Sequence, residues 1–303
     1  MQNPTQKIIP HLWLNGTAEQ AARSYTALLP DSGIRHVGRY GEAGRALHGQ
    51  PPGTVMSVEV SVGGYLMVLI NGGPAFRPTP ALSLMTVFET PDALQQAWER
   101  LLEGAKVLMP LDRYDWSPRY GWLEDRDGVS WQLMQGSQAE AGAAITPTLM
   151  FTGEVAGRAE EAVQHYTAIF PAAAIDLLLH HPGSGADQAD SVLQACFRLA
   201  GQPLRAMDSA LDHGFGFTEA TSLMVVCDSQ EEVDHYWQAL SAVPEAEACG
   251  WLKDRFGLSW QVVPRVLIEG MKSEDPAVVQ RITEAFMTMK KLDVVALEQA
   301  CSG

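Results

Sequence analysis

The chain repeats itself. Residues 121–134 read GWLEDRDGVSWQLM and residues 250–263 read GWLKDRFGLSWQVV, so Gly, Trp, Leu, Asp, Arg, Gly, Ser, Trp and Gln recur in register. The rest of each half follows. PHLWLNG at 10–16 answers PTLMFTG at 147–153, and SYTALLP at 24–30 answers HYTAIFP at 165–171. SLMTVFETPDALQQAWERL at 83–101 answers SLMVVCDSQEEVDHYWQAL at 222–240. A fixed period of this length means one structural unit used twice. The boundaries are 7–136 and 145–264, joined by the small, polar linker GSQAEAG at 136–142. Residues 265–303 are left over as a tail.

Within each half the plan is β-α-β-β-β, twice. Ile8 to Leu14 alternates as a strand does. Thr17 with Gln20 forms a capping-box pattern, and Ala18, Ala21, Ala22, Tyr25, Leu28 and Leu29 make a helical apolar face that Pro30 closes. Strands are expected at 34–40, 55–62 and 65–70, with Gly63-Gly64 as the hairpin turn. A strand at 82–88 follows, then a helix opened by Thr90-Pro91, whose face is Leu94, Ala97, Trp98 and Leu101. Strands at 105–109, 120–124 and 129–134 finish the half. The second half is expected to repeat every element, with Ser229 and Glu232 capping a helix faced by Val233, Tyr236, Trp237 and Leu240. In the tail, Asp275-Pro276 opens a helix with Val279, Ile282, Phe286 and Met289 on one face, expected to dock on a domain or a partner chain.

Charge and composition narrow the functions. Hydrophobic residues make up 46% and charged residues 19%, a globular balance. Lys+Arg 21 against Asp+Glu 36 gives a net charge of −15, which repels phosphate backbones and argues against nucleic-acid binding. No basic run suits an anionic membrane, and no apolar run approaches a membrane span. The N-terminus lacks a basic flank followed by an apolar core. Cys196, Cys227, Cys249 and Cys301 show no C-x-x-C spacing, so reduced, mostly buried thiols in a cytoplasmic protein are expected.

The repeated module, CGWLKDRFGLSWQVVP, the TSLMVVC strand before SQEEVDHYWQAL, and the MKKLDVVALEQA tail resemble the vicinal oxygen chelate superfamily. That superfamily includes glyoxalase I, extradiol dioxygenases and bleomycin-resistance proteins. Within it the chain resembles the PhnB-like, demethylubiquinone methyltransferase-like branch. The resemblance implies an α+β fold: four βαβββ modules forming two glyoxalase-like domains of curved mixed sheets. Helices cover the outer face of each sheet, the other face forms a cavity, and a C-terminal helical tail follows. Duplication implies an intramolecular pseudo-dimer, with further homo-oligomerisation left open.

In metal-using members of the superfamily, ligands stand on inward positions of the first and last strands. Here the matching residues are His11, Ser83 and Gln132 in the first half and Thr148, Ser222 and Gln261 in the second. A transition metal asks for three or more imidazole, carboxylate or thiolate donors, which neither set supplies. No metal or other cofactor is therefore expected; if a divalent metal is bound, His11 and Gln132 are the ligands on offer. The first ligand cavity is expected to comprise His11, Trp13, Ser83, Met85 and Gln132. Over it lies a lid from the aromatic stretch PLDRYDWSPRY at 110–120, carrying Tyr114 and Trp116. The second cavity is expected to comprise Thr148, Met150, Ser222, Met224 and Gln261. The long aromatic stretch occurs only in the first half, which predicts that the first half binds a small organic ligand and the second acts as scaffold. His11 is expected to make that binding pH-dependent between about pH 5 and 8. His180-His181 is a weaker metal candidate, because neighbours in an extended segment point apart.

DRDG at 125–128 and DRFG at 254–257 are expected to be turns. Trp131 and Trp260, alternating with Gln132 and Gln261, should face the helices. No glycine-rich strand-to-helix turn of the cofactor-binding kind occurs, which argues against methyl transfer. The readings that remain are a metal-free small-molecule binder, a metal-dependent glyoxalase or dioxygenase type of enzyme, and a protein whose cavities are filled by its own side chains.

Overall fold

The computed structural model describes residues 6–183 and 190–303. The first module is β1 (Ile8–Leu14), α1 (Ala18–Tyr25), β2 (Gly33–Arg39), a short α2 (Arg45–His48), β3 (Val55–Val62) and β4 (Tyr65–Asn71). The second is β5 (Leu82–Phe88), α3 (Pro91–Leu102), β6 (Lys106–Tyr114), β7 (Ser117–Glu124) and β8 (Ser130–Gln135). After the linker turn α4 (Gln138–Ala141) come β9 (Ile145–Phe151), α5 (Ala159–Ile169), β10 (Ala174–His180), β11 (Val192–Leu199) and β12 (Gln202–Asp208). The fourth module is β13 (Thr221–Cys227), α6 (Gln230–Leu240), β14 (Trp251–Lys253) and β15 (Ser259–Pro264). The tail folds as α7 (Arg265–Gly270), α8 (Pro276–Phe286) and α9 (Val294–Ser302).

Among the described residues these strands make two mixed sheets. Sheet A runs β14-β15-β13-β1-β4-β3-β2, and sheet B runs β10-β11-β12-β9-β5-β8-β7-β6. Each sheet therefore takes one module from each half. β1 pairs antiparallel with β13, with Ile8 opposite Val225 and His11 opposite Ser222. β5 pairs antiparallel with β9, with Ser83 opposite Thr148.

The apolar cores follow the halves in the main, with Ile8 and Leu82 joining the second-half core and Ile145 the first-half core. One core gathers Tyr25, Val58, Leu69, Leu94, Trp98, Trp131 and Leu133, all from residues before 136. The other gathers Val163, Tyr166, Phe197, Tyr236, Trp260 and Val262 from the second half. Trp131 and Trp260 do face the helices. The repeated Asp of each turn ties these layers together. Asp125 accepts from the backbone N–H groups of Asp127 and Val129, from the Tyr25 hydroxyl (2.6 Å) and from Trp131 Nε1 (3.1 Å). Asp254 repeats the arrangement with Phe256, Leu258, Tyr166 (2.6 Å) and Trp260 (2.9 Å). Burial raises the pKa of both carboxyls.

Four local expectations change. Thr17 does not cap α1: its backbone (φ −108°, ψ 6°) is not extended, and the Asn71 side chain accepts from the Ala18 N–H instead, at 2.9 Å. Thr90 and Ser229 cap α3 and α6 as expected. The 110–120 stretch is not a loop but the end of the β6–β7 hairpin, which turns between Tyr114 and Ser117. The fourth module lacks a strand equivalent to β6. The tail takes up that edge, where Cys249 and Gly250 donate backbone hydrogen bonds to Met289 and Lys290, each at 2.8 Å. Of the four cysteines, which are all free thiols, only Cys227 is fully buried.

The tail docks on sheet A. Leu267, Ile282, Leu292 and Leu297 pack on Ile9, Met224, Val226 and Val263, which lie on the face opposite the helices. No described helix is long and apolar enough to cross a membrane.

Candidate functional site

Because the sheets mix the halves, the expected cavities are regrouped. The repeat cannot reveal this, since its modules are quasi-equivalent and any two edges pair equally well on paper. His11 stands in sheet A with Ser222, Met224 and Gln261; Ser83, Met85 and Gln132 stand in sheet B with Thr148. His11 and Gln132 thus lie in different sheets and share no site.

The sheet B hollow has a volume of about 560 Å³ and is lined by Met85, Met109, Trp116, Tyr120, Trp122, Gln132, Met134, Thr148, Leu193, Gln194, Arg205, Ala206 and Met207. Its centre is a polar chain. The Gln132 amide donates to Ser83 Oγ (2.6 Å) and its carbonyl oxygen accepts from the Tyr120 hydroxyl (2.7 Å). Burial, then the neighbouring Tyr114, raises the pKa of the Tyr120 phenol, against a smaller opposing pull from Arg205. The rim is aromatic: Tyr114 stacks on Trp116 at 4.9 Å between ring centres, and Tyr120 meets both edge-on. Trp116 is 64% exposed. Tyr114 belongs to this rim cluster, not to the lining, and its hydroxyl bonds to the Pro110 carbonyl. Met150 is buried in the same sheet and also stands outside the lining.

Arg205 was not anticipated. It sits on β12 opposite Thr148, half-buried, and among the described residues its side chain makes no ion pair or hydrogen bond. Setting YLMVLIN at 65–71 against QPLRAMD at 202–208 places Arg205 over Val68, on the cavity face of an alternating strand. That comparison was the available signal.

The sheet A hollow is smaller, about 240 Å³, and mostly apolar: His11, Met56, Val68, Ile70, Met224, Trp251, Gln261, Val263, Leu267 and Phe286 are among its walls. Gln261 donates to Ser222 Oγ at 2.9 Å, repeating the Gln132–Ser83 pair. His11 is only 8% exposed, and neither ring nitrogen has a hydrogen-bond partner. Burial pulls its pKa down to about 3, so it stays neutral across the expected pH 5–8 window. Trp13 is not a wall of this hollow. Its ring lies against Gly72, where a Cβ would come within 2.1 Å, and its indole N–H donates to the Gly73 carbonyl (2.9 Å).

Neither floor fits a resident divalent metal. The sheet B hollow presents hydroxyls, two amides and a cation; the sheet A hollow presents His11, His36, Cys249, an amide and Glu59, whose carboxylate is paired with Lys272. Among the described residues no three His, Cys, Asp or Glu side chains gather as a metal would require. His180 pairs with Glu160 on α5 at 2.8 Å. Residues 184–189 of the stretch that follows the His180-His181 pair lie outside the described residues.

The family model for 3-demethylubiquinone-9 3-methyltransferase matches residues 6–134 and again 143–263. The chain belongs to that family. A solved structure described as a putative 3-demethylubiquinone-9 3-methyltransferase, PhnB protein, from Bacillus cereus is 35% identical and aligns over 43% of this chain and 100% of its own, with a TM-score of 0.40. Glyoxalase I from Zea mays is 9% identical, aligns over 88% of this chain and 98% of its own, and has a TM-score of 0.56. That second likeness establishes the glyoxalase fold over both halves of this family member. No curated protein matches the chain.

Proposed function

We propose that the sheet B hollow binds a small organic anion with a flat apolar body, and does so without a resident metal. The unpaired Arg205 carries this reading. In a chain of net charge −15, carboxylates are plentiful, yet among the described residues none pairs with this guanidinium. A guanidinium offers a planar fork of donors that matches a carboxylate. The body of such a ligand would lie against Trp116, Trp122 and the thioethers of Met85, Met109, Met134 and Met207, surfaces that favour flat rings. The Gln132–Tyr120–Ser83 chain would fix its orientation.

The family's label names methyl transfer, and the proposal does not extend to it: the sequence offers no glycine-rich turn for a methyl-donor cofactor. We read the shared sheets as the intramolecular form of a pairing between two single-repeat chains, since the Bacillus cereus relative spans one half.

Benzoate and 2-naphthoate are suitable probes, titrated calorimetrically. Binding of one molecule per chain is expected, weakened about tenfold to a hundredfold by Arg205→Met, the loss typical of a hydrogen bond to a charged group. Unchanged affinity in that variant, or no binding of either probe, would refute the reading.

A further inference from the structure

The sheet A hollow carries a separate inference, because among the described residues the His11 ring and the carbonyl oxygen of Gln261 find no hydrogen-bond partner. His11 is nine-tenths buried and neither ring nitrogen is hydrogen-bonded. A neutral imidazole has one donor and one acceptor to satisfy. Gln261 spends its amide N–H on Ser222, and its carbonyl oxygen receives no protein donor. In sheet B the matching oxygen, on Gln132, accepts from Tyr120. The repeat sets Cys249 where Tyr120 stands, and Cys249 lines the sheet A hollow. A phenolic hydroxyl that the protein supplies on one side is missing on the other.

The rest of the hollow says what could supply it. The charges at its rim cancel, since Lys272 and Glu59 form an ion pair. The remaining walls are chiefly aliphatic, thioether and aromatic, with Trp251 and Phe286 among them. A cavity of about 150 Å³ lined by aliphatic and aromatic groups already admits benzene; this one has about 240 Å³. A larger hollow of about 670 Å³, between β2 and α8, shares His36, Met56, Cys249 and Phe286 with it and offers a way in. The cover is the tail, which lies beyond both stretches matched by the family model.

The geometry points to a second binding site, between sheet A and the tail, for an uncharged single-ring molecule carrying one hydroxyl. The hydroxyl donates to the Gln261 carbonyl oxygen and accepts from His11, while the ring lies among the apolar walls. The site is independent of the anion site in sheet B.

Phenol and toluene, which share a shape and differ by the hydroxyl, test this on the full-length protein by calorimetry. Phenol should bind once per chain and at least about tenfold tighter than toluene, since a site built to hydrogen-bond a hydroxyl rejects the analogue without it. His11→Phe should abolish that preference by weakening phenol alone, and Arg205→Met should leave phenol binding unchanged. If His11→Phe does not fold, the His11 ring ¹⁵N resonances of the unaltered protein serve instead: they should move with phenol and stay with toluene. Equal binding of the two probes, binding of neither, or loss of phenol binding in Arg205→Met would each overturn the proposal; binding of neither would mean that ordered water satisfies the imidazole.

Discussion

On the floor of sheet B, Thr148 and Arg205 face a hollow whose rim, Trp116, stands in solvent. At the same strand positions in sheet A, His11 and Val68 lie in a hollow that the tail covers. The serine–glutamine pair beneath them is common to both. Two exchanges on the floor, Arg for Val and Thr for His, together with Tyr for Cys at the rim, therefore turn one frame into a charged, open hollow and a neutral, covered one. The asymmetry of this protein runs between sheets, each of which draws on both halves, and not between the halves as the repeat suggested.

The cover is the part whose removal should be felt most. Ile282→Ala or Leu292→Ala empties a fully buried position in the tail core and should cost about 2–5 kcal/mol in urea unfolding. Trp116→Ala on the open rim should cost no more than about 1.5 kcal/mol, the worth of its ring contacts. Equal losses at the two places would remove the distinction between a covered and an open hollow.

Acid should separate them next. His11 has a folded-state pKa near 3 against an ordinary 6.5, so its contribution is complete above about pH 6.5 and is lost as the pH falls toward 3. The loss amounts to at most about 1.4 kcal/mol per pH unit. The raised carboxyls Asp125 and Asp254 act in the opposite direction, so the comparison must be made against His11→Phe, which should lose less stability than the unaltered protein as the pH falls from about 6.5 toward 3. Parallel profiles would mean that the imidazole is not held neutral in the covered hollow.

Tyr120→Phe should have a smaller effect, about 1 kcal/mol, by leaving the Gln132 carbonyl oxygen without its donor as Gln261 is left in sheet A. No change would show that the hydroxyl does not hold Gln132. Saturating Ni²⁺ or Mn²⁺ should have the smallest effect of all, with no measurable shift in Tm. A clear rise would mean that a metal finds donors in one of the floors after all.

Much of the fold was legible because periodicity and turn chemistry are local. The caps Thr90 and Ser229, the helix-facing Trp131 and Trp260, and the Asp-Gly turns all stand where the sequence puts them. Thr17 was misread because Asn71, remote in sequence, supplies the cap. The cavities were misassigned because edge pairing between like modules is a global choice that no local pattern records. Arg205 was within reach, as the single charged residue that the aligned fourth strands place over Val68. The orphaned imidazole was not: His11 is an ordinary histidine until the tail and β13 enclose it.

The most direct test of two chemically distinct hollows is a titration of benzoate and phenol on one sample, alone and together. The account predicts one site for each, with neither probe displacing the other, Arg205→Met weakening only benzoate and His11→Phe weakening only phenol. Mutual displacement, or one substitution abolishing both, would contradict it.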